Sequence, residues 1–156
     1  MMAVFGWLEA TSFSSWLRES DTIWAFPMVL TLHTFGLGLL VGSSAVIDLR
    51  LLGIAGHMPL APLRVFFRVL WAGFWLSLVT GLSLFAAYAT TRGSSPVFYA
   101  KLVFVSLGVS TVVLIKRSVF DAPSDVPAAV PVRLLALLSL GSWTAAITAG
   151  RLLAYL

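Results

Sequence analysis

Four stretches of this chain are apolar for the width of a membrane, and nearly every charge stands between them or at their ends. They run over about 22–47, 65–89, 97–115 and 132–156. A transmembrane helix needs roughly 20 apolar residues to cross ~30 Å of hydrocarbon. In lipid every backbone N–H and C=O must be satisfied internally, and continuous apolar runs of this length do so as helices. Hydrophobic residues make up 60% of the 156 and charged ones only 10%, against about 25% charged in ordinary soluble domains. The chain therefore reads as an all-α integral membrane protein, a single domain over 1–156 built as a four-transmembrane-helix bundle.

The connectors carry the residues expected of loops. Gly53, Gly56, Pro59 and Pro62 punctuate the first, Arg92 to Pro96 form the second, and Asp121 to Pro131 form the third. Ahead of the first span, 5–17 mixes Trp7, Leu8, Phe13, Trp16 and Leu17 with Ser and Thr. This composition predicts a short N-terminal helix lying in the membrane interface. Ser20 or Asp21 is the expected cap of the first span. No Lys or Arg precedes the first apolar residues and Glu9 interrupts them, so the start does not read as a cleavable signal peptide and the mature chain is expected to begin at or near Met1.

The net charge of +4 comes from basic residues scattered singly at the ends of apolar runs. That pattern suits lipid headgroups and not nucleic acid. Arg50, Arg64, Arg68, Lys116, Arg117 and Arg133 flank the first and third connectors, against Arg18, Arg92, Lys101 and Arg151 on the other side. The bias places those two connectors in the cytoplasm and both termini outside. Cysteine is absent, which excludes disulfides, thiolate metal sites and a thiol nucleophile.

Small residues recur every four positions in each span: Thr34, Gly38 and Gly42; Gly73, Ser77 and Gly81; Ser106 and Ser110; Ser142, Ala146, Gly150 and Ala154. Such rows let helices approach closely where lipid gives no hydrophobic drive for association, and they read as scaffold.

His33 stands near the centre of the first span. An ionisable side chain at that depth points to function by default. Two readings stay open. In one, His33 makes an interhelical hydrogen bond to Ser77, Thr80 or Ser106. In the other it is an axial haem ligand, or part of a proton or quinone site, with Gly36 and Gly38 removing bulk beside the imidazole as a flat macrocycle requires. The second histidine, His57, falls in the first connector about 24 residues on, at or beyond the far membrane surface, so a bis-histidine haem is not available.

Lys101 lies one turn into the third span and either snorkels to the interface or points inward toward His33. Arg151, near the end of the fourth, either pairs with Glu19 or Asp21 or clamps a carboxylate such as a haem propionate. Asp48 and Arg50 read as a topology anchor at the cytoplasmic end of the first span. Phe67, Trp71, Phe74 and Trp75 follow helical spacing and read as packing or lipid-facing surface, with stacking on a ring ligand as the alternative. Paired carboxylates, a phosphate loop and a His-x-x-x-His set are all missing, so hydrolysis and phosphoryl transfer are disfavoured. Met28 and His33, five apart, stand about 140° apart round a helix and do not form a copper pair.

The strings Trp16–Ser20, Leu32–Leu37, Val46–Gly53, Phe98–Leu102 and Ala149–Leu152 together resemble a family of small four-helix bacterial inner-membrane proteins of unknown function. The resemblance covers nearly the whole chain and implies a multi-pass protein of the bacterial inner membrane. More remotely, His33 with its nearby glycines and Lys101-Leu102 resemble HemJ-type protoporphyrinogen oxidases and CopD-like membrane proteins. That resemblance implies a b-type haem site with His33 and Lys101 at the matching positions. The leading expectation is a protein that holds haem b or another redox ligand through His33, with Lys101, Arg151, Gly36 and Gly38 shaping the pocket. The alternative is an accessory subunit without a cofactor, bound to a membrane or periplasmic protein partner.

Overall fold

The computed structural model describes residues 2–54, 56–121 and 131–155. Residues 122–130 of the third connector, with two of its three prolines, and the last residue of the fourth span lie outside them. Among the described residues every regular element is helical. The chain runs through α1 (Met2–Glu9), α2 (Ser12–Glu19), α3 (Phe26–Leu52), a 3₁₀ turn at Ala61–Leu63, α4 (Arg64–Ala87), α5 (Ala89–Gly93), α6 (Pro96–Ile115), a π turn at Lys116–Phe120 and α7 (Val132–Leu152). Phe26–Leu52, Ala61–Ala87, Pro96–Phe120 and Val132–Leu152 are the four helices long and apolar enough to span. Only 22–39% of the residues in their most apolar windows are buried inside the bundle. The remainder suits lipid, as a bundle bathed in hydrocarbon requires.

The first span starts later and ends later than hydropathy predicts. Neither Ser20 nor Asp21 caps it. Ser20 closes α2, and α3 begins after Ala25 without a side-chain cap, with Pro27 in its first turn. Proline is tolerated there because its missing N–H would have no helical partner. At the other end Gly53 takes φ +94°, and the N–H groups of Gly53 and Ile54 close back on the Arg50 and Leu49 carbonyls. Only glycine adopts that left-handed turn freely.

The expected interfacial segment over 5–17 is two helices, broken at Ala10. Thr11 donates to the Leu8 carbonyl at 2.8 Å and accepts from Ser14 N–H at 3.3 Å, ending one helix and capping the next. Both dock on one end of the bundle, termed the near end. Phe5 meets Phe85 edge-on at 5.8 Å and lies over Gly93, where a Cβ would come within 2.4 Å of the ring. Glu9 accepts from the Thr90 hydroxyl at 2.6 Å and from Thr90 N–H at 2.8 Å. Arg18 donates to the Ala87 carbonyl at 3.0 Å, which satisfies a terminal carbonyl of α4.

The spans pack in the order α4, α3, α7, α6. Helices α4 and α6 meet through large side chains, Phe85 stacked on Phe98 at 4.8 Å near one end and Phe67 edge-on to Phe120 at 5.0 Å near the other. The main apolar cluster, with Leu40, Leu70, Ile115 and Trp143, fills the far half. A smaller one, Leu17, Ala25 and Ala87, seals the near end. On α3, His33 falls between them.

Two of the four small-residue rows form seams. Gly73, Ser77 and Gly81 face α3, while Ser142, Ala146 and Gly150 line α7 on its packed side. Thr34, Gly38 and Gly42 are exposed, as are Ser106 and Ser110. The exposed hydroxyls of Thr34, Ser106, Ser110, Thr144 and Thr148 bond to the carbonyl four residues back. They therefore present no free polar group to lipid.

Candidate functional site

The stripe of α3 that faces the bundle runs His33, Gly36, Leu40, Ser44, Ile47, the spacing of a helix packed along one side. All but the first are buried, whereas His33 is half-buried. The imidazole is thus the least enclosed side chain of the stripe.

Across the seam, His33 Nδ1 lies 3.0 Å from Thr80 Oγ1 and 3.1 Å from the Ser77 carbonyl oxygen. The Thr80 hydroxyl donates to the Leu76 carbonyl at 2.6 Å. Its single hydrogen is therefore engaged, so Thr80 Oγ1 can only accept from His33. The Ser77 carbonyl can also only accept. Both neighbours place the proton on Nδ1, and in the neutral imidazole the lone pair is left on Nε2. Nε2 has no hydrogen-bond partner among the described residues. The ring packs against Gly81, where a Cβ would stand 3.1 Å from Cε1.

Gly36 and Gly38 do not share the task assigned to them. A Cβ on Gly36 would meet Ser77 Oγ at 2.5 Å and Ser77 N at 2.8 Å, so the space beside it is filled by α4. Gly38 is about 200° away round the helix, exposed, with nothing within 4 Å of its Cβ position. The side of the ring that hydrogen bonding leaves open is that of Nε2. Ser106 is exposed, bonds within α6 and makes no hydrogen bond to His33.

Lys101 is half-buried, and its Cε and Nζ lie over Gly150 of α7, each 3.5 Å from the Cβ position. The missing side chain of Gly150 gives the lysine its berth. Lys101 makes no ion pair among the described residues. Arg151, the neighbour of Gly150, is exposed and unpaired among those residues, since Glu19 takes Arg18 at 3.1 Å. Lys101 is thus packed against α7, and Arg151 lies on the surface.

Arg92 was legible only as a topology charge. Its guanidinium lies over the Tyr88 ring at 5.7 Å, and its Nε is enclosed without a partner. It borders a cleft of about 100 Å³ with Tyr88, Thr91, Ser95 and Leu153. The near end thus holds three cations without a carboxylate partner among the described residues, Arg92, Lys101 and Arg151.

The aromatic row stands toward the far half. Phe67 is buried against Phe120, Trp71 and Phe74 pack on the main cluster and each other at 5.4 Å, and Trp75 is exposed. His57 is exposed in the first connector. Asp48 is not an interfacial anchor: it is buried on α3, while Arg50 turns away to the Met58 carbonyl.

Comparison with known proteins found no matching family model, no matching curated protein and no matching solved structure.

Proposed function

We propose that this small polytopic membrane protein holds a redox ligand, b-type haem first among them, with His33 Nε2 as a single axial ligand. The observation that carries the reading is the fixed imidazole: Nδ1 is tied to Thr80 and the Ser77 carbonyl, while Nε2 is left without a partner. Ligating histidines are held in this way, the second ring nitrogen donating to a carbonyl or similar acceptor. What supports the reading is one free lone pair on a half-buried ring, with Lys101 and Arg92 at the near end as cations for propionates that have no carboxylate partner among the described residues. Arg151 is exposed on the same side and is a secondary candidate for that role. When bound, the haem supplies electron transfer, and this chain ligates, orients and shields it. The remoter resemblance of His33 with its nearby glycines and of Lys101-Leu102 to HemJ-type and CopD-like proteins supports the same reading. The resemblance of the longer strings to small four-helix inner-membrane proteins supports a bacterial inner membrane, with the charge bias setting both termini outside.

One observation favours a second reading, an accessory subunit without a cofactor. The His33–Thr80 bond and the filled space beside Gly36 already account for both residues as helix-to-helix contacts. The visible spectrum of protein purified in mild detergent from haem-replete cells separates the two. A Soret band that is lost in His33→Gln, with the variant still folded, supports ligation. No band in the wild type, or a band unchanged in His33→Gln, overturns it. Co-purification with a membrane or periplasmic protein partner in the absence of a band supports the accessory role.

A further inference from the structure

The far half of the bundle contains a polar cluster that the His33 site does not use. Asp48 of α3 is 1% exposed, Ser44 one turn before it 1%, and Ser139 of α7 is fully enclosed. Ser44 donates to Asp48 Oδ2 at 3.2 Å, lies 3.1 Å from Ser139 Oγ and accepts from Trp143 Nε1 at 3.1 Å. Asp48 Oδ1 is sealed from solvent and has no partner among the described residues.

The cations of that end are committed elsewhere or exposed. Arg50 donates to the Met58 carbonyl, and Arg64 donates to the Phe120 carbonyl and pairs with Asp121. Lys116 shares the Asp121 carboxylate, while Arg68, Arg117 and Arg133 are exposed. No described Lys, Arg or His lies within ion-pair distance of Asp48. An ionised carboxylate buried with neither counter-charge nor water is among the costliest groups a protein can hold. Hydrogen-bond glue between α3 and α7 would need only the two serines and Trp143; a carboxyl with one oxygen facing no donor needs something more.

We propose that the Asp48 site binds a single positive charge, a proton or a sodium ion, held at the Asp48 carboxyl between the hydroxyls of Ser44 and Ser139. The donor set is all hard oxygen, without the imidazole or thiolate that transition metals favour. One carboxylate balances one charge, and a divalent ion would require further acidic ligands. Trp143 is a positioning residue: its N–H fixes the lone pairs of Ser44. Intramembrane acids of this kind mark proton relays and ion pathways. Asp48 stands about four turns from His33 along α3, so the fate of the site is independent of the haem reading.

The test uses the full chain in lipid nanodiscs, in sodium-free choline buffer, treated with dicyclohexylcarbodiimide. This lipophilic reagent adds to a protonated carboxyl in apolar surroundings and leaves a stable N-acylurea. Peptide mass spectrometry is expected to find the adduct on Asp48 and not on the other carboxyls, all of which lie outside the four spans. Loss of the adduct on adding sodium chloride, but not choline chloride, at constant pH assigns the ion as sodium. Labelling indifferent to sodium assigns a proton. Infrared spectra of the same sample give a second readout that does not depend on reagent access: a protonated-carboxyl C=O band absent from Asp48→Asn, or shifted in Asp48→Glu should the Asn variant not fold. Either signal supports the site. Absence of both the adduct and the band in sodium-free buffer overturns it.

Discussion

His33 Nδ1 and Thr80 Oγ1 stand 3.0 Å apart across the α3–α4 seam, and the direction of their bond is fixed because the Thr80 hydrogen is spent on the Leu76 carbonyl at 2.6 Å. Thr80→Val keeps the shape and removes the acceptor. Interhelical hydrogen bonds in membranes average about 0.6 kcal/mol and reach about 1.7. Thr80→Val is therefore expected to lower the unfolding free energy by about 1 kcal/mol, and Thr80→Ser by less. Reversible unfolding in mixed micelles measures this. Equal stability of wild type and Thr80→Val would mean that the bond contributes nothing.

The α3–α4 seam depends on a contact between backbones. A Cβ on Gly73 would stand 2.6 Å from Leu40 N and 2.7 Å from the Gly36 oxygen, neither of which can swing aside. Gly36→Ala meets the Ser77 hydroxyl first, which can rotate, and then Ser77 N. Gly73→Ala is expected to cost about 2–3 kcal/mol and Gly36→Ala somewhat less, in the range of overpacked cores. Gly38→Ala, with open space around it, is expected to be neutral or to stabilise by up to about 1 kcal/mol through helix propensity. The same unfolding assay orders the three, and a destabilised Gly38→Ala would contradict the assigned faces.

The four spans were legible because hydrophobicity over 20 or so residues needs no knowledge of partners. The level of His33 was legible too, and Thr80 was one of three hydroxyl partners, with Ser77 and Ser106, that the sequence offered it; the structure selects Thr80 and the Ser77 carbonyl. What counting cannot supply is the rotation of each helix. Spans α3 and α6 are apolar almost all round, so no polar face reveals which side looks inward. Gly36 and Gly38 were therefore grouped by proximity although they face opposite ways. Asp48 was tied to Arg50, two residues on, and read as an anchor; the stripe through Gly36, Leu40 and Ser44 would have placed it inside. Ser44 with Asp48, and Ser139 with Trp143, each at four-residue spacing, were the available signal. Glu9 bonding to Thr90 is a contact between distant segments that no local pattern marks.

Trp143 links packing to the Asp48 cluster. Its ring fills the space a side chain at Gly108 would need, with Cε2 2.8 Å from the Cβ position, while its N–H reaches Ser44. Trp143→Phe is expected to cost about 1 kcal/mol for the lost hydrogen bond, plus the loss of ring volume. Gly108→Ala is expected to cost about 1–3 kcal/mol by displacing the ring. Because the displacement also breaks the bond to Ser44, Gly108→Ala added to Trp143→Phe should be clearly less than additive. A double-mutant cycle on unfolding free energies reads the coupling, and strict additivity would separate the ring from the hydroxyl network.

Glu9 makes docking of the N-terminal helices depend on pH. Its carboxyl is held below the ordinary value of 4.5, first by the Thr90 hydroxyl and then by Thr90 N–H, with burial opposing. The docked form therefore binds protons more weakly than the detached one. Its stabilising contribution is complete above the ordinary value and is lost as pH falls through the lowered one. Amide hydrogen exchange over 2–19, corrected for the intrinsic pH dependence of exchange, is expected to show strong protection near neutral pH. That protection should weaken below about pH 4 while the four spans stay protected. Glu9→Gln keeps one acceptor but cannot titrate, so it should show weaker protection at neutral pH and a flat profile below it. Protection in the wild type that stays constant through the acid range would mean that α1 is held by Phe5 on Phe85 and Gly93 alone, with the carboxylate a bystander.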